Sequence, residues 1–324
     1  MLKDRFGRHI EYLRLSVTDR CDLRCQYCLP NGYANFETPD EWLSFAEIEQ
    51  VIRVFAQLGT HRIRVTGGEP LVRPQLSTLV QRLAQLPGID DLSLSTNATR
   101  LAKQAQALRQ AGISRINVSL DSLQADRYKQ LTGGKLQKVL DGLMAARAAG
   151  FAPIKINMVV MRDHNVDEIE AMVAFCIEQG FTLRFIETMP MGDTGRNASE
   201  YYVDLQQIKA RLAQHYELIE SMMPGGGPAR YVRVAGTDLR IGFITPISQH
   251  FCETCNRVRL SVDGTLHMCL GQDDSYPLRD ILRRGCSDEE LQQHILGAID
   301  LKPERHEFQE HPEKILRFMS YTGG

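Results

Sequence analysis

Between residues 12 and 187 six short apolar runs alternate with polar or glycine-rich breaks and stretches of apolar residues at helical spacing. The runs predict strands at 12–17, 62–66, 92–96, 115–120, 154–160 and 183–187. The helices between them are marked by their own signals. Ser44-x-x-Glu47 is a capping box, Ile48, Val51, Ile52, Phe55 and Leu58 follow on one face, and Gly59 ends the helix. Strands alternating with helices of this length mean βαβ units and a parallel sheet. Six units predict an α/β fold, an incomplete TIM-like (βα)6 barrel two units short of closure. In such folds the chemistry sits at the C-terminal ends of the strands. Residues 21–28, 67–70, 95–97, 119–121 and 187–191 all fall there.

The first of these loops holds Cys21, Cys25 and Cys28 in a C-x3-C-x2-C array. Thiolates are soft ligands that select zinc, copper(I) or iron–sulfur clusters. Structural zinc and ordinary 4Fe–4S clusters take four protein ligands. No fourth Cys lies near, and His9 is upstream of the first strand. Three local thiols suggest a cluster with one open iron. Inert reduced cysteines, or a zinc knuckle completed elsewhere, are the alternatives. A second set is Cys252, Cys255 and Cys269. Its spacing accommodates a second cluster, zinc with His267 or His250 as fourth ligand, or free thiols. Arg257 and Arg259 alternate out of that loop onto one face of a strand, before a hairpin turn at Asp263-Gly264. Two guanidiniums so placed suit bidentate capture of phosphate or carboxylate; a solvated cationic face is the plainer reading.

The chain has 324 residues, 43% hydrophobic, with a formal net charge of −2. Nothing in that balance argues for a nucleic-acid or membrane partner. No apolar run reaches the roughly 20 residues of a membrane span. The charged N-terminus lacks a signal peptide's apolar stretch, so a cytoplasmic location is expected. In a reducing compartment eight Cys favour metal binding or catalysis over disulfides. Cys176, in an apolar helical run, reads as a core residue. Pro224-Gly225-Gly226-Gly227-Pro228 is the clearest break, dividing a 1–223 core from a 224–324 C-terminal region.

The three-Cys loop with Tyr27 before its last Cys, and Thr66-Gly67-Gly68-Glu69-Pro70 after the second strand, resemble the cluster and cofactor motifs of radical S-adenosylmethionine enzymes. Arg14–Cys21, Arg64-x-Thr66, Asn117–Asp121, Phe185-Ile186-Glu187-x-Met189, Phe251–Leu260 and the final Gly323-Gly324 narrow the resemblance. They are similar to the GTP 3′,8-cyclases of molybdenum cofactor biosynthesis, over nearly the whole chain.

That resemblance implies a radical S-adenosylmethionine-type partial barrel whose C-terminal extension carries a second iron–sulfur cluster. Cys21, Cys25 and Cys28 would hold one 4Fe–4S cluster, completed by S-adenosylmethionine. Cys252, Cys255 and Cys269 would hold another, whose open iron meets guanine. Tyr27, Gly68, Ser119 and Met189 match cofactor contacts. Arg14, Arg64, Ser95, Lys155, Arg257 and Arg259 match GTP contacts. Arg14, Arg257, Arg259, Gly323 and Gly324 match catalytic positions. A 5′-deoxyadenosyl radical would take hydrogen from C3′ of GTP, and C3′ would bond to C8 of guanine. A homodimer, and hand-off of product to cyclic pyranopterin monophosphate synthase, are family expectations. Asp22 stands where Asn is usual, Ala98 where Gly is usual, and Tyr321-Thr322 where Ile precedes the glycines. A peptide-modifying radical enzyme and a non-catalytic zinc protein are the rival readings.

Overall fold

The computed structural model describes residues 1–195, 198–311 and 315–323. Six strands alternate with helices as the periodicity requires. They are β1 (Tyr12–Ser16), β2 (Arg62–Thr66), β3 (Asp91–Thr96), β4 (Arg115–Ser119), β5 (Ile154–Val159) and β6 (Thr182–Ile186). The helices between and after them are α1 (Phe45–Gln57), α2 (Leu76–Ala84), α3 (Ala105–Ala111), α4 (Ala125–Thr132), α5 (Leu136–Ala148) and α6 (Ile169–Gln179). The capping box forms: Ser44 Oγ accepts from Glu47 N at 3.2 Å, and Ser44 N donates to Glu47 Oε2 at 2.6 Å. It points Ile48, Val51, Ile52 and Phe55 of α1 into the core. Trimming one such phenylalanine to alanine costs about 3–5 kcal/mol.

The later chain adds α7 (Gly192–Gly195), α8 (Leu205–Leu212), β7 (Leu218–Ser221), β8 (Arg230–Val234), β9 (Arg240–Ile244), β10 (Arg257–Leu260), β11 (Thr265–His267) and β12 (Ser275–Pro277). It ends in α9 (Arg279–Arg283), α10 (Asp288–Ile299) and α11 (Met319–Thr322). One sheet runs β12-β11-β10-β1-β2-β3-β4-β5-β6-β9-β8-β7. The six expected strands are parallel, and β10 joins β1 while β9 joins β6, both also parallel. Residues from the C-terminal region therefore extend the partial barrel at both edges. Antiparallel hairpins then flank it, β10–β11 turning at Gly264 with φ +87°.

Helices α9 and α10 are separated by a break. Gly285 takes φ +76°, and Ser287 restarts the helix by accepting from Glu290 N at 3.2 Å. The β7–β8 hairpin escaped the periodicity because β7 is half exposed and carries no alternating apolar face. Cys176 is fully buried in the main core, as its neighbours implied. A second, smaller apolar cluster joins Met191, Phe308, Ile315 and Met319, with Cys28, Met189, Ile247 and Leu270 packed against it. It bridges the two cysteine loops. No helix of the described residues is long and apolar enough to cross a membrane.

Candidate active site

Strand register sets the site. Residues paired across parallel strands point to the same face of the sheet. Arg259, Arg14 and Arg64 are paired across β10, β1 and β2. Ser95, Asn117 and Lys155 pair across β3, β4 and β5, and Ser119, Asn157 and Arg184 across β4, β5 and β6. Two adjoining cavities open among these side chains. One, of about 1070 Å³, is bounded by Cys252, Cys255 and Cys269 together with Arg14, Arg64, Ser95, Arg184, Arg257 and Arg259. The other, of about 1010 Å³, is bounded by Cys21, Cys25, Cys28, Tyr27, Gly68 and Ser119. Met189 borders both.

All six thiols are unbridged. Burial pushes Cys28 up to about 12, and it also raises Cys21 and Cys25 well above the ordinary thiol value, helped by Glu69 beside Cys21 and Cys28 beside Cys25. Burial also raises Cys252 and Cys269. Such thiols ionise when a metal supplies positive charge, since ligand sulfurs must be deprotonated. A single zinc ion would draw its thiolates to about 2.3 Å from one point. Among the described residues no three His, Cys, Asp or Glu side chains converge so closely. A cuboid iron–sulfur cluster keeps its thiolates at separate corners, and the three thiols of each triplet border one cavity. His267 is 6% exposed, has no hydrogen-bond partner on either ring nitrogen and packs edge-on against Tyr321 at 5.9 Å. Neither it nor His250 borders the cavity of the second triplet.

Cys255 differs from its neighbours. Burial is the largest influence and raises it, yet Lys302 and Arg257 together bring it below the ordinary thiol value. Lys302 is 1% exposed; its Nζ stands 3.7 Å from Cys255 Sγ and donates to the carbonyls of Arg257 and Met268 at 3.0 and 2.6 Å. Sequence reasoning missed this residue, since a lysine after a helix reads as surface.

Four cations of the first cavity lack acids among the described residues. Arg64, Arg184, Arg257 and Arg259 form no ion pair among the described residues. Arg184 Nε donates to Asn157 Oδ1 at 2.8 Å, while Arg184 Nη2 and Arg257 Nε are buried without partners. Burial lowers both Arg64 and Arg259 to about 10, with neighbouring guanidiniums contributing. Lys155 is also buried but borders neither cavity: its Nζ lies 5.7 Å from the Tyr231 ring. Arg184 was not singled out from the sequence, although its alternation with Leu183 and Phe185 placed it on the inner face.

Gly67 and Gly68 are required by the fold itself. Gly67 has φ +146°, and a Cβ on it would stand 2.3 Å from the Thr18 carbonyl oxygen. A Cβ on Gly68 would stand 2.4 Å from that of Arg20. Their backbone packs on the loop entering the first triplet, with Gly68 N donating to Thr18 O at 2.8 Å. Glu69 turns inward instead of toward a ligand. It accepts from Leu71 N (3.0 Å), Thr96 Oγ1 (2.7 Å) and Asn97 N (2.6 Å), and burial raises it to about 7. Tyr27 is fixed by its hydroxyl, which donates to Asp121 Oδ2 at 2.8 Å; Asp121 Oδ1 accepts from Val159 N at 2.9 Å. Asp22 accepts from Asn97 Nδ2 at 2.9 Å and Thr99 Oγ1 at 2.8 Å, and Ala98 takes φ +61°, a conformation suited to the glycine expected there.

The tail returns to the site. Gly323 O accepts from Arg259 Nη1 at 2.6 Å, and Arg317 Nη2 donates to the carbonyls of Cys269 and Leu270, each at 2.7 Å. Gly324 lies outside the described residues.

Comparison with known proteins agrees with this geometry. The Radical SAM superfamily model matches residues 15–176, and the Molybdenum Cofactor Synthesis C model matches 181–308. The chain is 47% identical over 329 residues to the GTP 3′,8-cyclase of Hydrogenovibrio crunogenus, covering 100% of this chain and 99% of that protein. It is 47% identical over 325 residues to GTP 3′,8-cyclase 1 of Pseudomonas aeruginosa, covering 99% and 98%. Among solved structures, Streptococcus suis SuiB bound to S-adenosylmethionine shares the fold at TM-score 0.63 and 15% identity, over 85% of this chain and 64% of that one. The partial barrel with two thiol triplets and full-length identity of this order place the chain in the GTP 3′,8-cyclase family of radical S-adenosylmethionine enzymes.

Proposed function

We propose that this chain converts GTP to (8S)-3′,8-cyclo-7,8-dihydroguanosine 5′-triphosphate in molybdenum cofactor biosynthesis. The observation that carries the substrate is the set of arginines without acids among the described residues, Arg64, Arg184 and Arg259 buried and Arg257 half-buried, in a cavity bounded by the second thiol triplet. Buried cations without counterions are costly, and a triphosphate would neutralise them. Arg14, Arg64, Arg257 and Arg259 then bind and orient the nucleotide by charge-assisted hydrogen bonds. Ser95 stands where the two cavities meet, beside the sugar. Lys155, set back from the cavity, adds positive potential from behind.

Membership of the radical S-adenosylmethionine superfamily brings a 4Fe–4S cluster and S-adenosylmethionine. Cys21, Cys25 and Cys28 would hold the cluster, with Tyr27, Gly68, Ser119 and Met189 around the cofactor. When reduced, that pair supplies a carbon radical able to take a hydrogen atom. Cys252, Cys255 and Cys269 would hold a second 4Fe–4S cluster, with Lys302 favouring the thiolate of Cys255. Arg259 holds Gly323 against the nucleotide site, and Gly324 completes the tail. In this reading residues 1–223 generate the radical and 224–324 present the substrate. The enzyme works in the cytoplasm as a homodimer and passes its product to cyclic pyranopterin monophosphate synthase.

The test is anaerobic turnover of protein reconstituted with iron and sulfide, reduced, and given S-adenosylmethionine. GTP-dependent release of 5′-deoxyadenosine together with a cyclised guanine nucleotide is expected. Release that GTP leaves unchanged would move the substrate to a peptide.

A further inference from the structure

Among the described residues, five border both cavities: Ser95, Asn157, Ile186, Met189 and Met319. Four of them belong to the barrel, on β3, β5, β6 and the loop after β6. Met319 alone comes from the tail, more than a hundred residues later in the chain. It is 8% exposed and belongs to the small apolar cluster that touches Cys28 on one side and Leu270, next to Cys269, on the other. Arg317 fixes its position from one side through the carbonyls of Cys269 and Leu270, and Arg259 from the other through Gly323. The turn of α11 between those anchors packs against β1.

We propose that Met319 is a specificity-determining residue, the tail-side wall of the junction where radical and sugar meet. The inference rests on the GTP cyclase reading above. A carbon radical formed beside the first triplet takes one hydrogen atom, from whichever C–H bond lies closest. The barrel encloses the junction on the sides of β3, β5 and β6; the thioether of Met319 closes the tail side and leaves the substrate's C–H as the nearest donor. Methionine suits the position because its unbranched chain fills an irregular gap. With the wall trimmed, C–H bonds of neighbouring side chains or small-molecule C–H and S–H donors come within reach, one of them gives its hydrogen atom to the radical, and 5′-deoxyadenosine forms without cyclisation.

The experiment compares wild type, Met319→Ala and Met319→Leu as reconstituted holoenzymes. It measures 5′-deoxyadenosine formed per cyclised nucleotide, GTP and S-adenosylmethionine binding by equilibrium dialysis, and hydrogen exchange of residues 315–323. The ratio rises severalfold in Met319→Ala and returns close to the wild-type value in Met319→Leu, which keeps the apolar volume. Binding, iron content and tail protection stay at wild-type levels in both variants. An unchanged ratio in Met319→Ala overturns the inference. So does a raised ratio in both variants, or one accompanied by loss of tail protection, because Met319 would then be an anchor and not a wall. A wild-type protein that forms no cyclised nucleotide defeats the cyclase reading, and this inference with it.

Discussion

Arg259 Nη1 donates to the carbonyl of Gly323 at 2.6 Å, so a residue at the end of the chain is seated on a strand beside β1. Gly323 has φ +75°, and a Cβ there would stand 2.3 Å from Thr66 Cγ2. Both the conformation and the space exclude a side chain. Gly323→Ala therefore displaces the tail, and GTP turnover falls by about a hundredfold or more, the loss that an ångström of misplacement can produce. Iron content and S-adenosylmethionine binding remain at wild-type levels. Full turnover in Gly323→Ala would show that the tail's position is irrelevant to the chemistry.

The arginine row makes a prediction about affinity. Hydrogen bonds to charged groups contribute about 1.5–3 kcal/mol each. Removing one from the nucleotide should weaken GTP binding by roughly 10- to 100-fold, at 1.4 kcal/mol per factor of ten. Arg64→Ala and Arg257→Ala are expected to do so in equilibrium dialysis at unchanged iron content. Arg259→Ala should lose both affinity and tail docking. Unaltered dialysis curves for Arg64→Ala and Arg257→Ala would remove the triphosphate from this cavity.

Lys155 predicts a pH dependence. Burial, then the charges of Arg184, Arg115 and Arg64, lowers its pKa to about 7. A bound triphosphate favours the charged amine and raises that value again. Below pH 7 the lysine is already protonated and contributes no pH dependence. Above it, binding takes up a proton, and affinity falls by about tenfold per pH unit until the pKa of the complex is reached. The Lys155→Arg variant stays charged and should lose this dependence. Stability follows the opposite limb. Between about 7 and 10.5 the unfolded chain holds the extra proton, so this group makes the folded state more stable as pH rises through that window. Lys155→Met should then melt higher than wild type at pH 6. A Tm difference independent of pH would contradict the assignment.

The two triplets should be separable by iron content. Cys269→Ala is expected to lose half the iron while still binding S-adenosylmethionine, and Cys25→Ala the other half together with S-adenosylmethionine binding. Full iron content in Cys269→Ala would mean that the second triplet holds no cluster.

Local rules made much of this legible. The Ser44–Glu47 box, the six strand runs and the Asp263-Gly264 hairpin are each decided within a few residues, and all form. The inner-facing arginines of β1, β2 and β10 could be named from alternation and family likeness together. What escaped depends on distance in the chain. Lys302 gains its meaning from Cys255, and Met319 from Cys28 and Leu270; no periodicity reports such neighbours. The close crossing of Gly67-Gly68 over Thr18 and Arg20 turns the Glu69 carboxylate toward Thr96 of β3 and the backbone of Asn97.

The pairing of Tyr12 with Arg257 has a consequence for how the protein is made. One side of β1 leaves the ribosome early, and its partner strand is not synthesised until the chain is three-quarters complete. At about 5–20 residues per second that interval is roughly 10–50 seconds. Throughout it, β1 exposes an open backbone edge, as β6 does from its own synthesis until β9 follows, and the loop carrying Cys21, Cys25 and Cys28 is attached to β1. Nascent chains stalled in that window are the species most exposed to edge-to-edge aggregation. Loading of iron into the first triplet is therefore expected to follow chain release, once β9 and β10 have closed both edges.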